Sequence, residues 1–228
     1  MLRTFKLGEA DRIVVLLTRG HGKVRAVAKG VRKTRSKFGA RLEPTSNVAV
    51  QLYEGRDLDT VTQVETIDCF RPIRDDLDRF GRASAMLEAV DQVAQHDEVN
   101  IGLYQMLVGA LRTLAACDAP LVVAGFFFKM LTLEGFGPVV DRCVECRGSE
   151  LVAFDVDSGG ALCRDHRRGT PVSPEAFILL QMMLGGRLGA ALGTPESAVT
   201  HELDSLATHA VEHHIERRLR SVEVLHRG

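Results

Sequence analysis

The sequence has no tryptophan and few aromatic residues of any kind, since ten Phe and two Tyr make up 5% of its 228 residues. If the protein binds nucleic acid, we therefore expect charge rather than stacked rings to supply the affinity. The sequence also lacks an uninterrupted apolar run of about 18 residues, and Arg3 places a charge at its start, so neither a membrane span nor a signal peptide is expected. Ordinary apolar and charged fractions, 45% and 26%, predict a soluble protein of the cytoplasm.

Cysteine is scarce and unevenly placed. There are five cysteines, an odd number, and three of them fall inside residues 143–163. This pattern excludes a secreted disulfide framework and favours a metal site in a reducing compartment. The other two, Cys69 and Cys117, lie in apolar runs and are predicted to be core residues.

Signatures of catalysis are mostly missing, because the sequence has no Walker A loop, no G-x-S-x-G elbow and no dinucleotide fingerprint after a strand. The exception is His209-Ala-Val-Glu212-His213, which fits the H-x-x-E-H pattern of inverted zincin peptidases. Such a site needs a further metal ligand, and only 15 residues follow His213. We therefore favour histidines on the polar face of a helix and keep the peptidase as a third hypothesis.

Positive charge is concentrated at the start of the chain. Residues 1–42 carry twelve Lys or Arg against two acids, whereas the rest carries seventeen against twenty-eight. Residues 19–41, called the basic segment below, contain nine of these cations and no acid. Because like charges repel, the segment predicts an anionic partner, with phosphate the first candidate. The alternative is a solvated face that the acidic remainder of the chain neutralises.

The first 70 residues show the alternation of short strands. Five strands are predicted, over Leu2–Leu7, Ile13–Leu17, Lys23–Lys29, Val48–Leu52 and Leu58–Ile67. With the longest connection between the third and fourth strands, this pattern is typical of an OB-fold β-barrel, although an SH3-like barrel would give a similar one.

From Asp75 the apolar residues recur with helical spacing, which predicts an all-α helical domain and an overall α+β fold. Two amphipathic helices, with apolar residues over 77–93 and 103–114, precede a buried helix over Leu121–Leu133. Further helices should start at Ser173-Pro174-Glu175 and at Thr194-Pro195-Glu196, where a capping hydroxyl precedes proline, and the last should reach about Val224. The predicted domains are a barrel at 1–70, a helical domain at 71–134 and 171–228, and an insert at 135–170.

The insert has the ligand spacing of a zinc ribbon. Cys143 and Cys146 form one pair, and Cys163 and His166 form the second after sixteen residues that include Gly159-Gly160 at the bend of a hairpin. Two such pairs complete a tetrahedron around one Zn²⁺ and leave no open position for water. The spacing therefore predicts one structural zinc; the alternative is a polar His166 beside three thiols.

Several strings in residues 6–44 resemble the RecO family of bacterial recombination mediators, and the resemblance extends with the ribbon cysteines over nearly the whole chain. The strings are Lys6-Leu-Gly-Glu-Ala-Asp-Arg12-Ile, His21-Gly-Lys23-Val, Ala28-Lys29-Gly30-Val31-Arg32, Ser36-Lys37-Phe38-Gly39 and Leu42-Glu43-Pro44. Two departures are a first strand that is short for the family and His166 where the family often has cysteine.

The resemblance implies a DNA-binding and strand-annealing accessory protein of recombinational DNA repair, without enzymatic activity and associated with the nucleoid. Its implied partners are single- and double-stranded DNA, RecR, the C-terminal tail of single-strand binding protein and, indirectly, RecA. The implied DNA surface comprises Arg12, Lys23, Arg25, Lys29, Arg32, Lys33, Arg35, Lys37 and Arg41. Among the nearby rings, Phe38 is predicted to stack on a base, whereas Phe5 and Tyr53 are equally suited to the core.

A second hypothesis from another class is a zinc-ribbon interaction module whose basic barrel binds RNA or an acidic protein. It differs from the first in predicting a preference for RNA or an absence of strand annealing.

Overall fold

The computed structural model describes residues 1–221, which form two compact units, residues 1–116 and residues 117–221. Within these residues, no helix combines the length and apolar character needed to cross a bilayer. The first unit holds a β-sheet followed by three helices, and the second holds four helices and a small inserted sheet. The predicted α+β class, with strands first and helices after, is confirmed.

The N-terminal sheet contains all five predicted strands, with ends that move by one to two residues. They are β1 (Arg3–Leu7), β2 (Asp11–Leu17), β3 (Lys23–Ala28), β4 (Asn47–Tyr53) and β5 (Asp59–Asp68). Their order is β1-β2-β3-β5-β4, in which β3 and β5 are parallel and the other neighbours antiparallel. This order is that of an OB-fold and decides against the SH3-like alternative.

The sheet is not a closed barrel, which corrects the prediction on that point. Closure would need a ladder between β1 and β4, but within the described residues β1 pairs with β2 and β4 pairs with β5. One backbone hydrogen bond near this opening runs from the Thr45 N–H to the Met1 carbonyl, at 3.2 Å.

Alternation along the strands divides the sheet into two faces. Val14, Leu16, Ala26 and Ala28 point into a common core with Val61 and Val64, and Leu42 closes it from a short 3-10 helix at Gly39–Leu42. The opposite face of β2 also buries Val15 and Leu17. A strand of a half-solvated sheet would expose that face, so β2 is covered on both sides.

The helices of the first unit are α1 (Arg71–Arg74), α2 (Leu77–Val93) and α3 (Ile101–Ala116). The Asp76 side chain caps α2 by accepting a hydrogen bond from the Arg79 N–H at 3.0 Å, which satisfies one of the free amides of the first turn. Near the end of α2, Asp91 is buried against two cations of the sheet, Arg3 and Lys23.

The second unit is built from α4 (Val122–Leu133), α5 (Pro174–Leu184), α6 (Leu188–Leu192) and α7 (Ala198–His214). Phe127, Phe128 and Met130 of α4 are fully buried, as the apolar composition of this helix predicts. Ser173 caps α5 as predicted, since its hydroxyl accepts from the Ala176 N–H at 3.2 Å.

The predicted start of the last helix at Thr194 is wrong. The helix begins at Ala198, because Ser197 and Thr200 form a reciprocal capping box that satisfies the first-turn amides three residues further on. The helix ends at His214, and the predicted end at Val224 lies outside the described residues. Cys69 and Cys117 are exposed, so their prediction as core residues is also wrong; both follow the end of an element rather than lying inside it.

Candidate functional site

The predicted insert folds as a three-stranded sheet. Its strands are β6 (Leu151–Asp155), β7 (Gly160–Cys163) and β8 (Thr170–Pro171), in the order β7-β6-β8. The β6–β7 hairpin turns at Gly159-Gly160, as predicted. Gly160 is required there because a Cβ atom would lie 2.2 Å from the Val139 carbonyl oxygen. The apolar core of the insert is small, consisting of Cys143, Ala153, Leu162 and Cys163 with three partly buried neighbours.

The first ligand pair lies on a tight turn that directs backbone amides inward. The Arg147 N–H donates to the Cys143 carbonyl at 2.9 Å, and the Cys143 N–H donates to the Gly148 carbonyl at 2.8 Å. Arg147 adopts a left-handed conformation (φ 64°) that lets the chain reverse. The second pair lies where β7 ends and a short 3-10 helix, Arg164–His166, begins.

The four predicted ligands converge on one point. Their ligand atoms all lie within 4.8 Å of one another. The Cys146 and Cys163 sulfurs are 3.6 Å apart, and His166 Nδ1 lies 3.3 Å from Cys163 Sγ and 3.9 Å from Cys143 Sγ. Sulfurs at about 2.3 Å from a tetrahedral ion would be separated by about 3.8 Å, so the cluster fits a four-coordinate metal ion.

The surroundings of Cys143 and Cys163 favour the thiolate form that binds metal. At Cys146 the Gly148 amide lowers the pKa, but the Cys163 thiol, burial and Cys143 outweigh it and raise the pKa. Burial opposes ionisation of Cys143, but amide hydrogen bonds from Cys146, Cys163 and Glu145 outweigh it and lower its pKa to about 6. A hydrogen bond from His166 lowers the pKa of Cys163, and the same contact raises the pKa of His166. Since thiolate rather than thiol is the ligand, the arrangement is prepared for a cation.

Arg168 links two acidic residues of the insert around this cluster. Its guanidinium lies 2.5 Å from Glu145 Oε1 and 3.2 Å from Asp155 Oδ2. Asp155 also accepts hydrogen bonds from the backbone and hydroxyl of Ser158, which lower its pKa. These contacts join the first knuckle to the hairpin at the surface of the insert.

The H-x-x-E-H motif does not assemble a metal site within the described residues. His213 Nε2 lies 2.8 Å from Asp157 Oδ1, and Glu212 Oε1 accepts a hydrogen bond from the Leu219 N–H at 2.8 Å. In residues 1–221 the one cluster of three or more potential ligands is that of the insert. Within the described residues, the motif therefore lacks the further ligand that the peptidase hypothesis requires.

Most cations of the predicted DNA surface are exposed. The exposed ones are Arg25, Lys29, Arg32, Lys33, Arg35, Lys37 and Arg41. Within the described residues none of them forms an ion pair with an acid. Those with hydrogen bonds use neutral oxygens, such as Arg32 on the Glu9 carbonyl at 2.9 Å. Acidic residues elsewhere in the first unit therefore do not neutralise this surface.

Two other members of the predicted surface have acidic partners. Arg12 Nη1 lies 2.9 Å from Glu43 Oε1. Lys23 Nζ lies 2.7 Å from the Asp91 carbonyl oxygen and 3.8 Å from Asp91 Oδ1, and its side chain is only 13% exposed. The structure thus places Lys23 in an internal contact between β3 and α2.

The prediction that Phe38 stacks on a base is corrected by the structure. The residue is 2% exposed, in the core of the sheet. Lys37 Nζ lies 4.9 Å from the centre of its ring. Phe5 and Tyr53, assigned equally to core or surface from the sequence, are 40% and 71% exposed. The alternation in β4 puts Tyr53 on the same side as exposed Ala49 and Gln51, a signal already present in the sequence.

Sequence reasoning missed Arg74 and Asp91. Asp91 lies within a helix whose apolar pattern gives no sign that a carboxylate is buried there. Arg74 lies 33 positions after Arg41, yet both line one cavity in the first unit. Only the folding of β4 and β5 back onto the basic segment brings them together.

Comparison with known families defines the class of this protein as a DNA repair and recombination protein with an OB-fold and a helical part. The family model described as recombination protein O N terminal matches residues 1–70. The model described as recombination protein O C terminal matches residues 74–223. Together they cover most of the 228 residues, and the chain belongs to the RecO family of recombination mediators.

Proposed function

We propose that this protein binds single- and double-stranded DNA through the exposed cations of β3 and of the connection from β3 to β4, and that it anneals complementary strands, without a catalytic step. The observation that carries the proposal is the set of seven exposed cations without acidic partners in residues 1–221, on a chain of the RecO family. Because a patch of like charge is unfavourable in isolation, an anion that offers many charges in a row matches it best.

The mechanism follows from charge neutralisation. Two complementary strands repel one another through their phosphates, and cations on β3 and on the connection from β3 to β4 reduce that repulsion while leaving the base edges free to pair. The protein then needs no sequence readout, because base pairing supplies the selection. The residues with this role are Arg25, Lys29, Arg32, Lys33, Arg35, Lys37 and Arg41. Arg12 is proposed as a weaker contact, because Glu43 offsets its charge.

The metal of the insert is proposed to be one Zn²⁺ with a structural role. Three thiolates and an imidazole are the donor set that zinc prefers in four-coordinate sites, and such a site has no open position for a substrate. A core of four buried residues would be marginal without it. The ion would be held by Cys143, Cys146, Cys163 and His166.

The partners remain those that the family resemblance implies: RecR, the C-terminal tail of single-strand binding protein and, indirectly, RecA during its loading onto single-stranded DNA. We propose that the sheet of residues 1–70 contacts DNA, that the helical domain at 71–134 and 171–228 contacts the protein tail, and that the insert at 135–170 supports that domain. Such a protein would act in the cytoplasm, associated with the nucleoid.

The first experiment is binding of a labelled, mixed-sequence single-stranded oligonucleotide between 50 and 200 mM salt, followed by addition of the complementary strand. If about five cations contact phosphate, the log–log slope is about −3.5, and affinity falls about a hundredfold across that range. Faster annealing in the presence of protein supports the proposal. Tight binding without annealing, or a preference for RNA, would instead favour the interaction-module hypothesis.

A quadruple variant, in which Lys29, Arg32, Lys33 and Arg35 become Ala, tests the assignment of the surface. We expect it to lose most DNA affinity and to unfold at the wild-type urea concentration, because these side chains are exposed. The control removes four exposed arginines elsewhere, Arg71, Arg142, Arg164 and Arg167, and so matches the change in net charge. Equal DNA affinity of the two variants would contradict the assignment of these four cations to the DNA surface.

A further inference from the structure

An open cavity on the surface of the first unit is lined by positive charge. It has a volume of about 470 Å³ and lies between the end of the basic segment and the chain from β5 into α1. Its lining comprises Ser36, Lys37, Phe38, Gly39, Ala40, Arg41, Thr66, Cys69 and Arg74. Among these described lining residues three are cationic and none is acidic.

Neutral oxygens hold all three cations in place. Lys37 Nζ donates to the Thr62 carbonyl at 3.2 Å, and Arg41 Nη1 donates to the Lys37 carbonyl at 3.2 Å. Arg74 donates from Nη1 to the Ala40 carbonyl at 3.5 Å and from Nη2 to the Ser46 hydroxyl. These contacts fix the side chains without neutralising them, since within residues 1–221 none of the three has a carboxylate partner.

Arg74 is also incompletely satisfied. Its Nε is buried and has no hydrogen-bond partner within the described part of the chain. A buried donor without a partner is unfavourable, and so is a guanidinium without a counter-ion beside two other cations. An anion in the cavity would relieve the charge repulsion at all three residues at once.

The size and walls of the cavity indicate which anion fits. The volume lies within the range of about 300–1,000 Å³ typical of small-ligand sites, which is more than one phosphate group occupies and enough for a phosphate with its sugar. The wall offers two hydroxyls, those of Ser36 and Thr66, and one thiol, that of Cys69. Lys37 and Arg41 belong to the basic segment, so the cavity is continuous with the surface proposed to bind DNA.

We propose that this cavity binds one phosphate of a DNA strand, with Lys37, Arg41 and Arg74 as its cationic ligands. The inference rests on the proposed DNA binding and extends it beyond the basic segment to α1. Arg74 would then contact a phosphate although it lies outside the basic segment of the sequence.

The first test compares Arg74→Gln with Arg71→Gln in the full-length protein. Arg71 lies on the same short helix, but its side chain is 84% exposed and paired with Asp75, and it does not line the cavity. Loss of one phosphate contact should make the salt slope shallower by about 0.7 and weaken single-strand binding about eightfold at 50 mM and about threefold at 200 mM salt. Arg71→Gln should change neither by more than about twofold.

The second test needs no substitution and so avoids any folding defect from the loss of the Ser46 contact. The rate of iodoacetamide labelling at Cys69 is measured by mass spectrometry with oligonucleotide, with inorganic phosphate at the same ionic strength, and with neither. Cys117, which is also exposed, is the reference thiol. Oligonucleotide should slow labelling of Cys69 in proportion to the fraction of protein bound and leave Cys117 unchanged.

The outcomes separate the two proposals. Protection of Cys69 by inorganic phosphate but not by oligonucleotide would show a site for free phosphate and overturn the DNA assignment. Equal protection of both thiols, or no protection together with equal affinity of the Arg74 and Arg71 variants, would overturn the cavity site while DNA binding stands. Failure of the wild-type protein to bind oligonucleotide at all would instead overturn the proposed function.

Discussion

At the scale of single residues, the identity of a side chain is a poor guide to its role until its burial is known. Phe38 lies in the most basic part of the sequence, yet its ring fills the core of the sheet at 2% exposure. Lys23 belongs to the same run of cations but contacts Asp91, a residue 68 positions away. Both residues support the surface that their neighbours form, and neither belongs to it.

Replacing Phe38 with Ala should lower the free energy of unfolding by about 3–5 kcal/mol, because a fully buried ring is replaced by a cavity. Tyr53→Ala is the control, since Tyr53 is 71% exposed, and should change stability by less than about 0.5 kcal/mol. Urea unfolding measures both. A Phe38→Ala variant of normal stability with weakened DNA binding would restore the stacking role.

Substitution of Lys23 by Met should affect stability, whereas substitution of Arg25 by Met should affect DNA binding. Lys23→Met leaves the buried Asp91 carboxylate, 3% exposed, with Arg3 as its remaining cation, and should lower stability by about 1–3 kcal/mol. Arg25→Met should leave stability within about 0.5 kcal/mol but weaken DNA binding about eightfold at 50 mM salt. Urea unfolding and oligonucleotide anisotropy on the same preparations compare them, and the reverse ranking would contradict the assignment of Lys23.

At the scale of elements, the insert depends on its ligand cluster more than on its apolar residues. Its hairpin pairs Leu151–Asp155 with Gly160–Cys163, a ladder of only a few residues, and an isolated hairpin of this size is marginal in water. The four ligands tie the knuckle at residues 143–148 to the end of β7. Arg168 adds ion pairs on the outside, but at 48% exposure these contribute little stability.

Replacement of Cys143 with Ser should abolish bound zinc and unfold the insert, because a hydroxyl is a poor zinc ligand and the remaining core is small. His166→Cys should retain one zinc per chain, since a fourth thiolate serves the same geometry. Metal content by mass spectrometry and proteolysis within residues 141–168 report the two effects. Full zinc content in Cys143→Ser would remove this residue from the ligand set.

At the scale of the whole molecule, the net charge of −1 conceals a protein with two electrostatic parts. The excess of cations lies in residues 1–42, and the acidic excess lies in the rest of the chain. Since screening at physiological salt limits such interactions to about 8 Å, the basic surface acts on a polyanion locally although the chain as a whole is nearly neutral. We therefore expect residues 1–42 to attract DNA and the acidic remainder of the chain to repel it.

If DNA binding and contact with the tail of single-strand binding protein reside in different parts of the chain, they should be separable. On bare DNA, annealing should be lost in the quadruple variant of Lys29, Arg32, Lys33 and Arg35. On DNA covered by single-strand binding protein, annealing should be lost in the same variant. There it should also be lost with the wild-type protein when the single-strand binding protein lacks its C-terminal tail. If the wild-type protein anneals covered DNA equally fast with and without the tail, the tail of single-strand binding protein is not the partner that we propose. Annealing rates with fluorescent strands distinguish these results.

The sequence by itself determined features that depend on local pattern. Alternation placed five strands within one to two residues, helical periodicity placed α2, α3 and α4, and the spacing of three cysteines and a histidine defined the ligand cluster. Each of these signals is short-range, because strand pleat, helical turn and knuckle spacing all fix neighbours within a few residues. The helix start at Thr194 failed for the same reason, since Ser197 offered a better local cap.

The tertiary structure alone decided what depends on distant residues meeting. It left the sheet open between β1 and β4, buried Phe38, joined Lys23 to Asp91 and brought Arg74 beside Arg41. Burial and pairing of a side chain depend on which segments pack against it, and sequence separation carries no information about that. The sequence therefore revealed the cations from which the proposed phosphate-binding surface is built, whereas the fold decided which of them are exposed and which distant residue, Arg74, lies beside them.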